Sequence, residues 1–228
     1  LKPCKRNKTD KTVPKCSYQM KRTVCFMKKR SMIEISVALA LVFAFAISAV
    51  GFGRECEKVR GEVVRLHVLA NSDSEADQAV KLLVRDALLG SGSELFSGEV
   101  TARGAADCLN ANADKLKAVA EKVLRDNGFD YGADIRLVNE YFTTRSYEGF
   151  TLPAGRYTAV KVVLGSGKGH NWWCVMFPPL CLPAASEKTD IDAVLGRNGA
   201  ELIEGGSKYE IRFKIVEVIE SIKEKLRS

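Results

Sequence analysis

The chain has 228 residues, which allows one or two domains of ordinary size. Its formal net charge of +7 is unevenly spread, because residues 1–30 carry eleven Lys or Arg and one acidic residue. The rest of the chain carries 24 basic and 27 acidic side chains, a net charge of −3. A nucleic-acid-binding protein needs its positive charge on the folded domain, so this distribution argues against a nucleic-acid partner.

An uncharged apolar run of eighteen residues extends from Ile35 to Phe52, directly after the basic cluster Lys28, Lys29 and Arg30. A basic flank followed by an apolar stretch is typical of a segment inserted into a membrane, with the basic side left in the cytoplasm. The run is at the short end for a spanning helix, so an anchor and a cleaved signal peptide both stay open. We expect residues 31–52 to be that segment.

Residues 1–30 are predicted to form a basic, disordered cytoplasmic extension. The chain begins with Leu1, and a start at Met27 would leave a membrane segment of ordinary size. The alternative is therefore that the extension reflects the choice of start site. In both cases residues 53–228 are predicted to form one exported domain of about 176 residues, enough for a single hydrophobic core.

Four cysteines follow Met27: Cys56, Cys108, Cys174 and Cys181. Disulfides are chemically plausible outside the cytoplasm. Cys174 and Cys181 flank a Pro-Pro turn seven residues apart, so we predict a disulfide between them. Cys108 lies within a helical pattern and is expected to be a small buried apolar residue.

The domain is predicted to begin with a strand followed at once by a helix. Residues 63–70 alternate apolar and polar side chains, as a half-buried strand does. Ser72 and Glu75 have the spacing of a capping box, and an apolar face then recurs every three or four residues until Gly90. Asp77 and Lys81 are expected to form an exposed pair on the polar face.

Further along, residues 91–100 read as a loop and 101–127 as a helical pattern with a break near 110–112. Strands are predicted at 133–142, 143–152, 156–164 and 171–177, with a short helix near 190–195 and an apolar helical stripe from Ile211 to Leu226. The predicted fold class is α+β: a mainly antiparallel sheet with helices packed on one face, preceded by one N-terminal transmembrane or signal helix.

No set of residues predicts catalysis or a cofactor site. The GSGKG sequence at 165–169 lacks P-loop spacing and reads as a flexible turn. His67, His170, Cys174 and Cys181 lack the short pair spacings of a zinc site. A nucleophile–base arrangement of Cys174 with His170 is the enzymatic alternative, but an apolar surrounding favours a buried or bridged cysteine.

Two segments are candidate partner-binding sites. The polar turn Asn71, Ser72 and Asp73 follows a predicted strand, where loops often bind partners. The bulky segment containing Trp172, Trp173 and Phe177 places its two Trp residues on opposite strand faces, so one is expected near the surface as an interface anchor.

Three stretches resemble the stage II sporulation protein R family. They are the sequence RLHVLANSDSEADQ at 65–78 with KLLVRD at 81–86, NWWCVMFPPLC at 171–181, and IRFKIVE at 211–217. The resemblance spans about residues 59–226, and the combination of Trp-Trp-Cys with Pro-Pro-Leu-Cys is its most specific part.

This resemblance implies a signalling role and no enzymatic one. Proteins of this family are exported from the forespore and trigger a membrane-embedded aspartic protease of the mother cell (SpoIIGA type), which then processes pro-sigma-E. The expected location is the forespore membrane or the space between the forespore and mother-cell membranes. The alternatives are an exported envelope hydrolase using Cys174 and His170, and a structural envelope domain.

Overall fold

The computed structural model describes residues 16–96, 101–147, 149–180 and 191–227. The chain divides into two compact units, Leu1–Val50 and Gly51–Ser228. The helices and strands follow in this order: α1 (Cys16–Gly61), β1 (Val64–Leu69), α2 (Glu75–Leu95), α3 (Ala102–Ala111), α4 (Ala113–Asp126), β2 (Ala133–Phe142), β3 (Arg145–Tyr147), β4 (Phe150–Leu152), β5 (Gly155–Leu164), β6 (Asn171–Phe177), α5 (Ile191–Glu204) and α6 (Glu210–Arg227). A short 3-10 helix, Gly206–Tyr209, precedes α6.

In the first unit, the apolar run lies in helix α1. Among the described residues, one helical stretch, Ser31–Gly61, has the length and composition of a membrane span, and the most apolar part of it is exposed on all sides. The same properties fit a signal sequence, so the structure leaves anchor and signal peptide both open. An N-terminal apolar helix of this kind is what the sequence predicted.

In the second unit, four strands form a mixed, mostly antiparallel sheet in the order β2-β5-β1-β6. β5 pairs antiparallel with β2 and parallel with β1, and β1 pairs antiparallel with β6. β3 and β4 form a separate hairpin. The predicted α+β class with a mainly antiparallel sheet is therefore confirmed.

One face of the sheet is covered by α2, α3 and α4. Leu66, Val160 and Cys174 lie side by side on this face, and the fully buried Val84, Leu109 and Leu124 pack against it from the helices. The alternation of β1 places Val64, Leu66 and Val68 on one side. This is the helical layer that the sequence predicted.

The opposite face is also covered, which the periodicity did not predict. Its cover consists of the last turns of α1, helices α5 and α6, and the β3–β4 hairpin, which supply the buried side chains Phe52, Val59, Ile203, Phe213 and Leu152. This second layer buries Arg65 and His67 on the central strand. The half-buried strand predicted at residues 63–70 is therefore buried on both faces, because distant segments of the chain cover its polar side.

The structure corrects the ends of α2. The capping residue is Ser74, whose side chain accepts from the N–H of Asp77, whereas the sequence placed the capping box at Ser72 and Glu75. Gly90 does not end the helix, which continues to Leu95. Gly92 lies in this extension so close to Met176 that an added Cβ would be 2.6 Å from its Cε atom.

Candidate functional site

The topology brings the two predicted binding segments to one edge of the sheet. The carboxyl ends of β1 and β5 meet there, because the two strands are parallel. β6 starts at the same edge, with Asn171 opposite Leu69 and Trp172 opposite Val68. The turn at 71–73 after β1, the loop at 165–170 after β5 and the Trp pair of β6 therefore lie together.

Asn71 joins the turn after β1 to the loop after β5. Its side-chain oxygen accepts from the N–H of Ser166 at 2.9 Å, and its main-chain oxygen accepts from the Ser166 hydroxyl at 2.7 Å. Its side-chain nitrogen donates to Asp77 at 3.0 Å. One residue thus holds two loops and the first turn of α2 in a fixed arrangement.

Asp77 is the centre of this arrangement and is buried. It accepts hydrogen bonds from the Ser72 hydroxyl and the Tyr131 hydroxyl, both at 2.5 Å, in addition to Asn71. Burial by itself raises the pKa of Asp77, but the hydrogen bonds from Ser72 and Tyr131 favour the charged form, and its pKa is lowered overall. The predicted exposed ion pair of Asp77 with Lys81 is therefore wrong.

The sequence GSGKG at 165–169 is a docked turn. The N–H of Gly169 donates to the carbonyl of Ala70 at 2.9 Å, and that of Lys168 donates to Asn71 at 3.2 Å. An added Cβ at Gly169 would lie 2.1 Å from the carbonyl oxygen of Ser72, so only glycine allows this approach. The expected turn is present, but its backbone is held against the turn at 71–73.

Asp73 and His170 contact each other at the same edge, on the side exposed to solvent. Asp73 accepts from the backbone N–H of His170 at 2.6 Å and contacts the ring Nδ1 at 2.5 Å. The backbone bond and then the ring bond hold the pKa of Asp73 below its usual value. Lys81, which is buried, donates to the carbonyl of His170 at 3.1 Å, and its pKa is lowered by burial.

The Trp pair of β6 has the predicted two-sided arrangement. Trp172 lies on the side of α2, where the Arg85 guanidinium sits 4.6 Å from its ring centre, and it remains 36% exposed. Trp173 lies on the other side, stacked on His67 at 5.5 Å and covered by Arg145 at 4.1 Å. Phe177 is buried against Phe96, so its side chain forms part of the core.

A polar cluster around the buried His67 lies behind Trp173. His67 Nδ1 contacts the Glu140 carboxylate at 2.5 Å, and its Nε2 contacts the side-chain oxygen of Asn171 at 3.0 Å. Glu140 also pairs with Lys161 at 3.1 Å. The cluster therefore ties β1 to both edge strands. No local sequence pattern indicates it, because the residues of its contacting pairs are 21, 73 and 104 positions apart along the chain.

Arg65 is fully buried on the same side, and no carboxylate pairs with it among the described residues. Its Nη2 donates to the Tyr147 hydroxyl at 2.5 Å and its Nε to the carbonyl of Cys174 at 3.3 Å, while Nη1 has no hydrogen-bond partner. Its guanidinium lies over the Phe142 ring at 4.3 Å and the Tyr157 ring at 5.1 Å. Aromatic faces, one hydroxyl and one carbonyl thus stabilise this charge.

Cys174 and His170 do not form a nucleophile–base pair. Cys174 is buried in the core beneath the helices. His170 precedes β6, so the two lie four strand residues apart, roughly 13 Å at the rise of a strand. Cys181 lies outside the described residues, so the disulfide stays a prediction. Cys108 is half-buried, and its thiol contacts the carbonyl of Leu95.

Within the described ranges, no group of three or more His, Cys, Asp or Glu side chains is arranged to hold a metal ion. His67 and His170 each contact a different carboxylate, Glu140 and Asp73. The described edge presents two hydrogen-bonded loops with the partly exposed Trp172 beside them. Such a surface is suited to binding.

The comparisons with known proteins agree with one another. The family model for stage II sporulation protein R matches residues 60–187, which include the whole edge described above. A curated stage II sporulation protein R from Bacillus subtilis (strain 168) is 32% identical over 164 residues, covering 68% of this chain and 71% of that protein. No solved structure matches the chain at a significant level.

Proposed function

Because the chain belongs to the stage II sporulation protein R family, we propose that it is an intercellular signal that is exported from the forespore and activates a membrane-embedded aspartic protease of the mother cell. The activated protease then processes pro-sigma-E. The observation that carries the proposal is the order of the two units: an N-terminal apolar helix is followed by the folded unit that the family match covers.

The apolar helix supports the export step. A segment of this length and composition directs the following chain to a membrane, either as an anchor or as a signal peptide. The folded unit is then delivered to the space between the forespore and mother-cell membranes. There it meets the exported side of a protease that lies in the mother-cell membrane.

Activation by a protein signal requires differential binding. A ligand shifts a protease toward its active form only if it binds that form more tightly than the inactive one, and a shift from 1% to 99% active needs a preference of about 10⁴-fold. We place part of that contact on the exposed Trp172 and the turn formed by Asn71, Ser72 and Asp73. The hydrogen bonds of Asn71 and Asp77 order this turn in advance, which lowers the entropy cost of binding.

The test is co-expression of the full-length chain with the protease and pro-sigma-E in a bacterium that does not sporulate. Immunoblotting measures the processed fraction. We expect processing only when both proteins are present, and none when the catalytic Asp of the protease is replaced. Processing in the absence of the protease would contradict a signalling role, and no processing with both intact proteins would contradict the proposal itself.

The Trp172 contact has its own test. We expect Trp172→Ala to reduce processing while the fold persists, because Trp172 is partly exposed and packs only against Arg85 among the ring contacts described. Trp172→Phe is the matched control and keeps an aromatic face. Trp173→Ala is a weaker test, because Trp173 stacks on His67 and its loss disturbs the sheet. Full processing by a folded Trp172→Ala variant would remove this residue from the contact surface.

A further inference from the structure

Helix α6 is apolar on two opposite faces. Its inner face supplies the buried Phe213 and Val216, as the cover of the sheet requires. Its outer face carries a second set of aliphatic residues, from Ile211, which is 78% exposed, to Leu226, which is 82% exposed. The members of this outer stripe are Ile211, Ile215, Val218, Ile219, Ile222 and Leu226.

The spacing of the outer stripe is that of a helix that packs into a protein groove. Ile211, Ile215, Val218 and Ile222 recur at intervals of four, three and four residues, which places them along one line of the helix. Three of these four are isoleucine, whose branched side chain loses little rotamer freedom when it is ordered. Scattered exposed aliphatic residues are ordinary, but a continuous line of them marks an interaction surface.

The charges beside the outer stripe are basic. Arg212 and Lys223 follow one edge of it, and Lys214 and Lys225 follow the other. Two acidic residues of α6 pair with the rest of the domain: Glu220 lies 3.8 Å from Arg60, and Glu224 pairs with Arg156. Glu210 and Glu217 line a cavity beside the helix. Lys214 and Lys223 each contact a Glu of the same helix but stay largely exposed to solvent.

The basic residues on both edges of the stripe help to distinguish three candidates for binding it: a second copy of the chain, a membrane surface and a groove of another protein. In a symmetric pair of this chain, α6 would face its own copy, and the cationic borders would lie against each other at a cost in free energy. A helix that lies in a membrane surface usually has Trp, Phe or Leu as its apolar anchors, whereas the outer stripe consists of Ile and Val apart from Leu226 at its end. A protein groove with an apolar floor and carboxylates along its rims matches both the stripe and its border.

Ile211, at the amino-terminal end of the outer stripe, lines a cavity. A cavity of about 720 Å³ lies between the β3–β4 hairpin and α6, and its lining includes Thr144, Ser146, Thr151 and Ile211. The Thr144 hydroxyl is buried and has no hydrogen-bond partner in the described part of the structure.

We propose that the outer stripe of α6 is a docking helix for an apolar groove with acidic rims on the exported side of the protease. The inference rests on the proposed function, since the protease is its partner. It adds a second contact surface, separate from Trp172 and the turn at 71–73.

The test uses full-length Val218→Glu/Ile222→Glu in the co-expression assay. Both positions are exposed, so we expect an unchanged melting temperature in detergent and at least about tenfold less processed sigma factor, the size of effect expected for central residues of an interface. Leu83→Glu is the matched control, because Leu83 is a 47% exposed aliphatic residue on a different helix, α2, and we expect it to process normally.

A benzophenone photo-crosslinker at Ile219 identifies the occupant directly. We expect a crosslink to the protease that the double variant loses. A crosslink to a second copy of the chain, or to lipid, would overturn the proposal, and so would full processing by the folded double variant. Failure of the wild-type chain to promote processing is a different result, which contradicts the proposed function instead.

Discussion

Gly169 lies against the carbonyl of Ser72 so closely that a methyl group at Gly169 would lie 2.1 Å from the Ser72 oxygen. This contact lets the loop after β5 rest on the turn after β1, with the Gly169 N–H bonded to Ala70. The edge that carries the predicted partner-binding turn is therefore built by backbone approach as much as by side chains.

We predict that Gly169→Ala destabilises the domain. The added methyl group displaces the loop or the turn, and overpacking of this kind costs roughly 1–3 kcal/mol. Gly90→Ala is the control, because Gly90 is helical with no atom within 4 Å of an added Cβ, and it should stabilise α2 by about 0.5–1 kcal/mol. Urea unfolding measures both. Equal stabilities for the two variants would contradict the close approach.

We predict that Asp77→Asn lowers the unfolding free energy by about 2 kcal/mol or more at neutral pH, because it removes charge-assisted bonds from Ser72 and Tyr131. Asp86→Asn on the same helix is the control, since Asp86 bonds to its neighbour Arg85 at the surface, and it should change stability by less than about 0.5 kcal/mol.

The same carboxylate makes stability depend on pH. The pKa of Asp77 is lower in the folded state than in the unfolded chain, where it is about 3.9. The contribution of Asp77 to the free energy of unfolding is therefore complete above about pH 4, and it is lost as the pH falls through the pKa of Asp77 in the folded state. Urea unfolding at pH 7 and at successively lower pH should show the wild-type and Asp77→Asn curves converging in acid. A constant difference would show that the charge of Asp77 is not what stabilises the turn.

We predict that Arg65→Ala costs about 3 kcal/mol or more, whereas Arg65→Met costs less than about 1.5 kcal/mol. Alanine leaves a cavity among the aromatic rings that surround the guanidinium, while methionine fills it and removes a buried charge that has no ion-pair partner in the described residues. Thermal unfolding distinguishes the two. If both variants lose the same stability, the hydrogen bonds of Arg65, and not its packing, hold this side of the sheet.

We predict that a chain beginning at Gly51 folds and that a chain beginning at Glu62 does not fold stably. The shorter chain lacks the buried Phe52, Cys56 and Val59, a loss of roughly 5 kcal/mol at 1.5–3 kcal/mol for each apolar side chain. Domains of this size have a total stability of about 5–15 kcal/mol. Circular dichroism melts compare the two chains, and identical melting temperatures would contradict a structural role for these turns.

Most single elements were predictable from the sequence because their signals are local. Neighbouring residues are enough to indicate the alternation of β1 and β5, the helix break near Asn112 and the turn between β4 and β5. The Trp residues fell on opposite faces for the same reason, since adjacent strand residues point in opposite directions.

Features that depend on distant contacts were not predictable. The parallel pairing of β1 with β5 joins residues about 94 positions apart, and no local pattern specifies it. Gly92 belongs to a segment whose local sequence indicates a loop, but it is helical in the structure, and its missing side chain makes room for Met176. The alternation of residues 63–70 predicts a half-buried strand, and only contacts with the later segments α5 and α6 cover its second face, with Arg65 and His67 beneath them.

The last turns of α1 belong to the hydrophobic core of the folded unit, although they follow the apolar run without a break in the helix. Cleavage before Gly51 therefore leaves the buried side chains of these turns in the folded unit, whereas cleavage beyond Phe52 removes at least Phe52 from its core. The bond at which the chain is cut thus sets how much of the hydrophobic core the remaining unit keeps.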